Sequence, residues 1–427
     1  MKRNLLFSTA FALIVFCANA QNIPGRRNCA TMDHMADLER QNPALIQQRI
    51  VDENILQREI ARLASQRTTE SNVIYTIPVV VHIVYKAGTQ NISDAQILSQ
   101  IAALNEDFGR TNADTVNTPS GFRSVASATQ FQFCMAKRDP LGNATNGIER
   151  RLTTITSFST NDDVKAYSSG GLDVWDVSKY LNIWVCNMSG GILGYGEFPA
   201  TVHTNTFGVV IKYNSFGRVG TLSAPYNLGR TCTHEFSHCF RLYHIWGDDG
   251  GACSGTDYVA DTPNQADATY GCLTYPYNDA CSGTSANGIQ FMNYMDYSDD
   301  NCLNMFTANQ ATRMYASINS FYNTLYTSDK CLPVIDNINT PSDFTFSIYP
   351  NPNDGILNVD MYTTHNIGAK ANIVVTDVIG NVVAKQAVES PNGRIHQVDL
   401  GKATNGVYFV TVENDTYKKT VQFVISK

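Results

Sequence analysis

Eleven residues of the chain, from His234 to His244, carry the residue types of a catalytic metal site. His234 and His238 are four residues apart, so on a helix both imidazoles project from one face. Two neutral imidazoles at that spacing can bind one Zn²⁺, and Glu235 then lies beside the open coordination position, where it can accept a proton from water. His244 reaches the same ion only if the helix ends and the chain reverses. Three protein ligands with a free fourth position indicate a catalytic site.

The HExxH pattern alone also occurs by chance in helices, where its histidines are ordinary side chains. Three of the eight histidines of the chain fall within these eleven positions, which favours a metal site. We expect His82 and His203, which lie outside the motif, to belong to strand and loop structure.

The flanking sequence predicts the elements that position the motif. Apolar runs predict strands at residues 79–84, 131–136, 181–186 and 209–213, and periodic segments predict helices at 93–107, 228–240 and 308–325. Ser93 is the expected N-cap of the first helix. Strands followed by helices, with a sheet preceding the motif helix, indicate an α/β architecture.

A second, smaller domain is predicted after a linker at residues 332–342. Seven short strand-like runs with turn signals between them follow over about 85 residues. This spacing is typical of a small all-β, immunoglobulin-like sandwich. The sandwich carries no catalytic constellation.

Composition limits the partners and the compartment. A net charge of −7, with 16% charged residues and no basic run, argues against nucleic acid as a partner. Residues 1–20 have the pattern of a secretory signal, with Lys2 and Arg3 before an apolar run that ends in Ala18-Asn19-Ala20. That run is too short to span a bilayer, and no later segment is long enough. We therefore expect an exported protein without a transmembrane segment.

The cysteines after the motif lie in loop-like sequence and predict disulfides in an oxidising compartment. Their spacing allows three pairings, and zinc binding by the four thiols is the alternative, disfavoured because no CxxC pair is present. The four are Cys253, Cys272, Cys281 and Cys302. Three others lie in apolar stretches and are expected to be buried free thiols: Cys134, Cys186 and Cys239. Cys232, two residues before His234, is interpreted as a core residue and not as a metal ligand.

Residues 21–67 are polar and helix-favouring, with too few large apolar side chains for a core of their own. We expect this segment to pack on another part of the chain or to remain mobile. Residues 65–68 form a polar candidate cleavage site. A loop at residues 257–263 brings two carboxylates, a hydroxyl and carbonyls together, which suits Ca²⁺, although a solvated turn has the same composition.

Several stretches, in order between residues 72 and 331, resemble the pappalysin family of metzincin metalloproteases. Besides the HExxHxxxxxH motif they are PVVVHIVY from residue 78, NGIER from 146, YLNIWVC from 180, GYGEFP from 194 and NYMDYS from 293. The resemblance implies a metzincin-like α/β (α+β) zinc protease domain over residues 68–331. It implies that His234, His238 and His244 are the zinc ligands and that Glu235 is the general base and acid.

The resemblance also implies roles that spacing does not identify. Met295 becomes the Met-turn residue under the metal, although the residue alone would suggest core packing. Tyr297 is implied to turn its hydroxyl towards the zinc or the transition-state oxyanion. The family favours the disulfides Cys253–Cys281 and Cys272–Cys302.

Two further sites follow from the same resemblance. The loop site would bind Ca²⁺ through Asp257, the Ala260 carbonyl and Thr262. In related enzymes an acidic residue shortly after the Met-turn lines the pocket for the residue after the scissile bond, so Asp299 and Asp300 are candidates for a pocket that prefers a basic residue. The position next to Cys302 is Asn301, so the register of this match stays open.

Two positions depart from the family pattern. The family has Gly where Arg241 stands, at the point where the helix must end in a left-handed turn, and a side chain there costs about 1 kcal/mol. We expect the domain to tolerate this cost, with a looser approach of His244 to the metal. The stretch from Arg27 to Thr31 resembles the pro-segment motif whose Cys29 thiolate fills the fourth zinc position, with Ala30 in place of Gly. An unpaired surface thiol is the alternative for Cys29.

The sandwich resembles the C-terminal sorting domain of the type IX secretion system over residues 343–427. The matching stretches are YPNPNDG from residue 349, DVIG from 377, NGVY from 405 and the closing residues 419–427. The resemblance implies the type IX secretion machinery as a partner and a bacterial source.

Taken together, these features predict a secreted zinc-dependent endopeptidase made as a latent zymogen, with protein or peptide substrates, one catalytic Zn²⁺ and a structural Ca²⁺. A basic residue after the scissile bond is the hypothesis for its preference. The alternative is a surface-displayed, metzincin-like binding protein with weak or no activity, because Arg241 disturbs the turn.

Overall fold

The computed structural model describes residues 26–66, 74–333, 346–361, 370–389, 395–414 and 418–427. The predicted signal at residues 1–20 and most of the predicted linker lie outside these ranges. Arg67 and Thr68, half of the candidate cleavage site, lie outside them as well.

A six-stranded sheet with helices around it forms the first region. Its helices are α1 (Thr31–Gln41), α2 (Ala44–Gln66), α3 (Asp94–Phe108), α4 (Arg230–His238) and α5 (Ala308–Phe321). The strands of the region are β1 (Tyr75–Tyr85), β2 (Ala126–Ser127), β3 (Phe131–Met135), β4 (Ile148–Leu152), β5 (Leu181–Cys186), β6 (Gly194–Gly196), β7 (Gly208–Lys212) and β8 (Phe306–Thr307).

The sheet is parallel except at one edge. β1 pairs in parallel with β3, β4 and β5, and β5 pairs in parallel with β7. The edge strand β6 is antiparallel to β7. Every β1 residue before Tyr85 is buried, as expected for a parallel strand that is covered on both faces. The α/β architecture predicted from the strand and helix signals is confirmed.

Local sequence explains where the helices begin and end. The Ser93 hydroxyl accepts a hydrogen bond from the Gln96 N–H at 3.2 Å, so the predicted N-cap of α3 is confirmed. A Thr307–Gln310 capping box starts α5. The motif helix α4 is shorter than predicted at both ends, because Gly229 precedes it in a left-handed conformation (φ 82°) and Arg241 closes it in another (φ 63°).

The polar N-terminal segment packs on the sheet region. Leu56 of α2 is completely buried in the main core, and Ile55, Ile60 and Leu63 pack against that core. The segment therefore packs on the rest of the chain, which is the first of its two predicted behaviours. Its few apolar side chains are buried against the apolar surface of the sheet region.

Three disulfides tie the first region together. Two join Cys253 to Cys281 and Cys272 to Cys302. The third joins Cys134 on β3 to Cys331, which lies 197 residues away. The expectation that Cys134 is a free thiol is therefore wrong, since an apolar strand position resembles ordinary core and gives no sign of a distant partner. Among the residues that the structure describes, four further cysteines are free and buried: Cys29, Cys186, Cys232 and Cys239.

The second region is an antiparallel sandwich. Its strands are β9 (Ser347–Tyr349), β10 (Ile356–Asp360), β11 (Lys370–Asp377), β12 (Val382–Glu389), β13 (Ile395–Asp399), β14 (Gly406–Glu413) and β15 (Lys418–Ile425). One sheet has the order β13–β10–β9 and the other β12–β11–β14–β15. Their inner faces bury one apolar core that includes Leu357, Val375, Val410 and Phe423. The predicted all-β sandwich is confirmed. Within the described ranges, no helix has the length and apolar character that a membrane crossing requires.

Candidate metal centre

The turn after α4 brings the third histidine back to the first two. The Arg241 N–H donates to the His238 carbonyl at 2.8 Å, and the Leu242 N–H donates to the Ser237 carbonyl at 3.0 Å. This closure brings His244 to the other two histidines. One ligand atom each of His234, His238, His244 and Cys29 then lies within 4.8 Å of the others, and all four residues are buried. The left-handed turn forms with an arginine, and His244 lies with the other two histidines.

The three imidazoles present the same nitrogen to the centre. Their Nδ1 atoms donate outward to acceptors: His234 to the Tyr294 carbonyl, His238 to the Leu242 carbonyl and His244 to the Asp248 carboxylate, each at 2.7 Å. Each Nε2 is left with its lone pair facing inward, which is the arrangement that outer partners impose on metal-binding histidines.

The spacing of these nitrogens tests whether the site fits zinc. The Nε2 atoms of His234 and His238 are 3.2 Å apart. Two lone pairs that face each other at this distance repel unless a cation lies between them. A tetrahedral ion with metal–nitrogen bonds of about 2.0 Å separates its ligands by about 3.3 Å. The donor set and its spacing therefore fit Zn²⁺.

Burial also favours the ligand form of the imidazoles. Desolvation lowers the pKa of His234 and of His238 well below the usual value, and the neighbouring histidines lower it further. Neutral imidazole is the form that binds a metal.

Cys29 enters the site from the N-terminal segment, which runs beside the edge strand β6. The Ala30 N–H donates to the Gly194 carbonyl at 3.0 Å, and the Leu193 N–H donates to the Asn28 carbonyl at 2.9 Å. The Cys29 Sγ lies 3.4 Å from the His238 Nε2. Burial, then the charge of Glu235, raises the pKa of the Cys29 thiol, so a thiolate here requires a cation beside it.

Glu235 faces the same space. Its Oε2 accepts hydrogen bonds from the Thr31 hydroxyl at 3.0 Å and from the Cys29 thiol at 3.2 Å. Burial raises the pKa of Glu235 to about 7. Glycine is required on β6 opposite this residue, because a Cβ at Gly194 would lie 2.8 Å from the Glu235 Cγ.

Tyr297 and Met295 belong to the loop whose Tyr294 carbonyl accepts the hydrogen bond of His234. The Tyr297 hydroxyl is 3.3 Å from the His244 Nε2 and donates to the Cys29 carbonyl at 3.2 Å. Burial raises the pKa of Tyr297 well above its usual value, so the hydroxyl remains a donor. Met295 is fully buried beside Tyr294, whose carbonyl holds His234.

The structure distinguishes the two acidic residues after this loop. Asp300 is completely buried, and its carboxylate binds the guanidinium of Arg27 at 2.5 Å and the Leu228 N–H at 2.7 Å. Asp299 is only half-buried. The basic side chain of Arg27, two residues before Cys29, thus occupies the space above Asp300.

The loop considered for Ca²⁺ satisfies its own polar groups. The Thr262 hydroxyl donates to Asp257 at 2.7 Å and lies 2.9 Å from the Val259 carbonyl. Burial raises the pKa of Asp257 to about 6, whereas Ala260 is exposed. Asp261, the second carboxylate of the loop, accepts from the Asn309 N–H at the start of α5. The calcium site stays a prediction.

The two remaining histidines considered from the sequence have structural partners. The His82 ring lies between Glu149 at 2.8 Å and Asn182 at 2.9 Å. The His203 Nε2 lies 2.6 Å from the Phe321 carbonyl. Both belong to strand and loop structure, as expected.

Three residues of the site were not identified from the sequence: Arg27 as the partner of Asp300, Thr31 as the donor to Glu235, and Asp248 as the partner of His244. A carboxylate four residues after His244 was a usable signal for Asp248. The contacts of Arg27 and Thr31 join positions more than 200 residues apart, so no local pattern indicates them.

Comparison with known protein families gives two matches. The peptidase M43 model, described as pregnancy-associated plasma protein-A, matches residues 160–319. A secretion system C-terminal sorting domain matches residues 347–426.

Curated proteins and solved structures agree with these matches. An extracellular metalloprotease of Arthroderma otae is 32% identical over 266 residues, which are 61% of this chain and 84% of the relative. A Tannerella forsythia promirolysin mutant has a TM-score of 0.64 and 47% identity, and the match covers 70% of this chain and 95% of that chain. Mature mirolysin of the same organism, in complex with a cleaved peptide, has a TM-score of 0.57 and 49% identity over 60% of this chain and 99% of that chain.

Proposed function

This chain belongs to the pappalysin family of metalloproteases, and on that premise we propose that it is a zinc endopeptidase whose pro-segment blocks the metal centre until it is removed. The protein is a secreted or cell-surface zymogen with a type IX sorting domain. The observation that carries the proposal is the convergence of three imidazoles and the Cys29 thiol on one buried point.

His234, His238 and His244 would hold the ion. Bound zinc would supply Lewis acidity, which acidifies a water molecule and polarises the scissile carbonyl. The Glu235 carboxylate takes the proton of the attacking water at Oε2 and passes it to the leaving amine. The Tyr297 hydroxyl donates a hydrogen bond to the developing oxyanion. Met295, which is fully buried, would be the Met-turn residue under the metal.

The pro-segment occupies each of these groups in the zymogen. The Cys29 Sγ lies against the histidines, the Thr31 hydroxyl holds Glu235, and the Cys29 carbonyl accepts the hydrogen bond of Tyr297. A thiolate is a stronger zinc ligand than water, so Cys29 would fill the fourth position. Removal of the segment frees the metal, the base and the oxyanion donor together.

A basic residue after the scissile bond is the proposed preference. Arg27 supports it, because its guanidinium binds Asp300 while its Nε donates to the Ser298 carbonyl at 3.3 Å. A substrate arginine would place the same charge on the same carboxylate. Profiling of cleaved peptides tests this, with Asp300→Asn as the variant and Asp299→Asn as the control. Loss of basic selectivity in the Asp299 variant alone would assign the pocket to the other residue.

We propose residues 21–67 as the pro-segment, 68–331 as the metalloprotease domain, 332–342 as the linker and 343–427 as the sorting domain. N-terminal sequencing of the secreted form checks the first boundary. We also propose a structural Ca²⁺ at Asp257, the Ala260 carbonyl and Thr262, because a buried carboxylate with a raised pKa gains from a cation. Calcium should raise the melting temperature of the wild type but not of Asp257→Asn.

The decisive experiment is the Glu235→Gln variant of the processed protein. Metal analysis should show zinc unchanged, and casein hydrolysis should fall by about 10²–10⁴-fold because the proton transfer is lost. Wild-type hydrolysis should stop with a chelator and return with zinc. A wild-type protein that binds zinc but cleaves no protein would instead support the binding-protein alternative.

A further inference from the structure

Arg241 contacts the pro-segment through its side chain while its backbone makes the turn to His244. The side chain is 1% exposed. Its Nη1 donates to the Pro199 carbonyl at 2.7 Å and its Nη2 donates to the Arg49 carbonyl of α2 at 3.0 Å. Asp52 and Glu53 of α2 lie 3.7 and 3.5 Å from the guanidinium. Two carboxylates of the pro-segment therefore face the residue that departs from the family pattern.

Arg313 on α5 completes a pair of guanidiniums. Its Nη1 and Nη2 each donate to a different oxygen of Glu53 at 2.7 Å, which is the bidentate geometry of strong arginine–carboxylate pairs. Its Nε donates to the Arg241 carbonyl at 2.9 Å. The Arg313 side chain is 1% exposed and that of Glu53 13%, so most of this pair is shielded from water and salt.

The acidic partners of this arginine pair belong to the pro-segment. Among the described residues, the ion pairs of Arg241 and Arg313 are with Asp52 and Glu53. The charge of Arg313 acts to lower the pKa of Asp257, but the Asp257 carboxylate accepts its hydrogen bonds from the Thr262 hydroxyl and the Val259 N–H. Departure of α2 would leave two neighbouring guanidiniums without their paired carboxylates.

Apolar contacts continue the same surface along α2. Leu56, three residues after Glu53, is completely buried, and Ile60 and Leu63 pack against the main core. Further along, the Asn319 side chain of α5 donates to Glu59 at 3.3 Å. One face of α2 is therefore bound over several turns, well away from Cys29 in sequence.

We propose that Arg241 and Arg313 form a second binding site for the pro-segment, outside the metal centre, which takes the adjacent carboxylates of Asp52 and Glu53 and retains α2 after the chain between α2 and β1 is cut. Its ligand class is a helical peptide with two consecutive acidic residues followed by an apolar stripe. The proposal rests on the proposed function only in treating this segment as the one whose removal activates the enzyme. Cys29 is not disulfide-bonded, so a cut segment is held only by its packing, hydrogen bonds and ion pairs and by the proposed thiolate–zinc bond.

The second site gives activation two steps. Cleavage after α2 removes the covalent connection but leaves the segment in place, as an inhibitor held in trans. Activity appears when the segment dissociates or is degraded. The arginine that replaces glycine in the metal turn thus adds a contact with the inhibitory segment.

The test uses the full-length chain in a Glu235→Gln background, with the site of a specific protease inserted between residues 67 and 73. After the cut, size-exclusion chromatography separates free from retained pro-segment over time. The wild-type segment should co-elute with the protein. Glu53→Gln and Arg241→Gly should each release it at least about 100-fold faster, because a buried bidentate pair or its neighbour is lost. The matched control is Asp37→Asn, which removes an exposed carboxylate of α1 paired with Arg40 and should not change release.

Two outcomes would overturn the proposal. The first is equal release rates for the Glu53 and Asp37 variants. The second is loss of the wild-type segment once the metal is removed by a chelator, since the thiolate contact alone would then hold it. The uncut variants check folding, because each should elute as the wild type does. Retention together with a lack of proteolysis by the processed protein would leave the second site standing and reject the enzymatic function.

Discussion

Arg241→Gly should affect the zymogen and the mature enzyme differently. The arginine adopts φ 63°, a conformation that costs a residue with a side chain about 1–2 kcal/mol and costs glycine almost nothing. The variant therefore gains about 1 kcal/mol in both forms. The hydrogen bond to the Pro199 carbonyl is lost in both forms. In the zymogen the variant also loses the buried contacts with Arg49, Asp52 and Glu53 of the pro-segment, and breaking such a group costs about 3–5 kcal/mol.

The expected net changes have different sizes. The zymogen should lose about 2–4 kcal/mol of unfolding free energy, whereas the mature enzyme, in which the α2 partners have gone, should change by less than about 1 kcal/mol. For a region of this size, melting temperature changes by roughly 1–2 °C per kcal/mol. Calorimetry of both forms should therefore show a drop of about 2–8 °C for the zymogen variant and a much smaller change for the mature variant.

Arg110→Gly is the matched control for this experiment. Arg110 also has a positive φ, of 50°, and its side chain bonds Thr118 and the Asn304 carbonyl, which both belong to the mature domain. Its substitution should shift both forms equally. If Arg241→Gly also shifted the melting temperatures of both forms equally, the Arg241 side chain would not stabilise the bound pro-segment, and the reasoning would be refuted. Zinc content and peptide hydrolysis of the mature variant should remain at the wild-type level, because glycine makes the same turn.

Three further predictions concern latency, covalent stability and pH. Cys29→Ser should allow the uncut chain to hydrolyse a fluorogenic peptide at least about 10-fold faster than the uncut wild type, because a hydroxyl is a weaker zinc ligand than a thiolate; an unchanged rate would show that steric cover alone gives latency. The double variant Cys134→Ser, Cys331→Ser opens a connection of 197 residues and should lower the unfolding free energy by about 3–5 kcal/mol in chemical denaturation, whereas a change below about 1 kcal/mol would contradict the loop-closure argument. Burial acts to raise the pKa of Glu53, but the hydrogen bonds and charge of Arg313 outweigh it and hold that pKa below its ordinary value of 4.5. A lowered native pKa stabilises the zymogen above the unfolded pKa, and this stability is lost as pH falls through the native pKa. The wild-type zymogen should therefore lose more stability than Glu53→Gln in melting curves between pH 6 and about pH 3, and parallel curves would count against the ion pair.

The elements that position the metal centre follow from local sequence. Apolar runs identify β1, β5 and β7, and a Ser93 cap with periodic apolar residues identifies α3, because burial and capping act within a few residues. Helix α4 was predicted too long, since a hydrophobic period does not show that Gly229 and Arg241 adopt left-handed conformations at its ends. The placement of His244 depends on the turn at Arg241. The motif spacing shows that the chain must reverse there, but it does not show which backbone conformation makes the turn.

Contacts between distant segments were less accessible from the sequence. The partner of Cys134 lies 197 residues away, and both cysteines occupy positions that suit ordinary core or loop. Arg27 and Asp300 are 273 residues apart, so the sequence suggested an acidic pocket but not the side chain that fills it. The entropy cost of closing a loop increases only slowly with the number of residues in it. Near and distant partners therefore cost similar amounts, and sequence spacing does not reveal which residues pair.

The pro-segment meets the mature domain at two places that have different chemistry. At the metal centre, Arg27, Cys29 and Thr31 contact Asp300, His238 and Glu235. The proposed mechanism assigns these groups to the substrate and the reaction, so on that proposal any affinity gained there competes directly with substrate. At the arginine pair, Asp52 and Glu53 bind Arg241 and Arg313, which take no part in the proposed reaction. Binding there keeps the inhibitory stretch at a high local concentration near the metal centre, and it does not require that stretch to resemble a substrate. Because Arg313 binds both Glu53 and the Arg241 carbonyl, the second contact also stabilises the turn that carries His244. Loss of α2 should therefore loosen this turn slightly, and hydrogen exchange of the Leu242 N–H should be faster in the mature enzyme than in the zymogen.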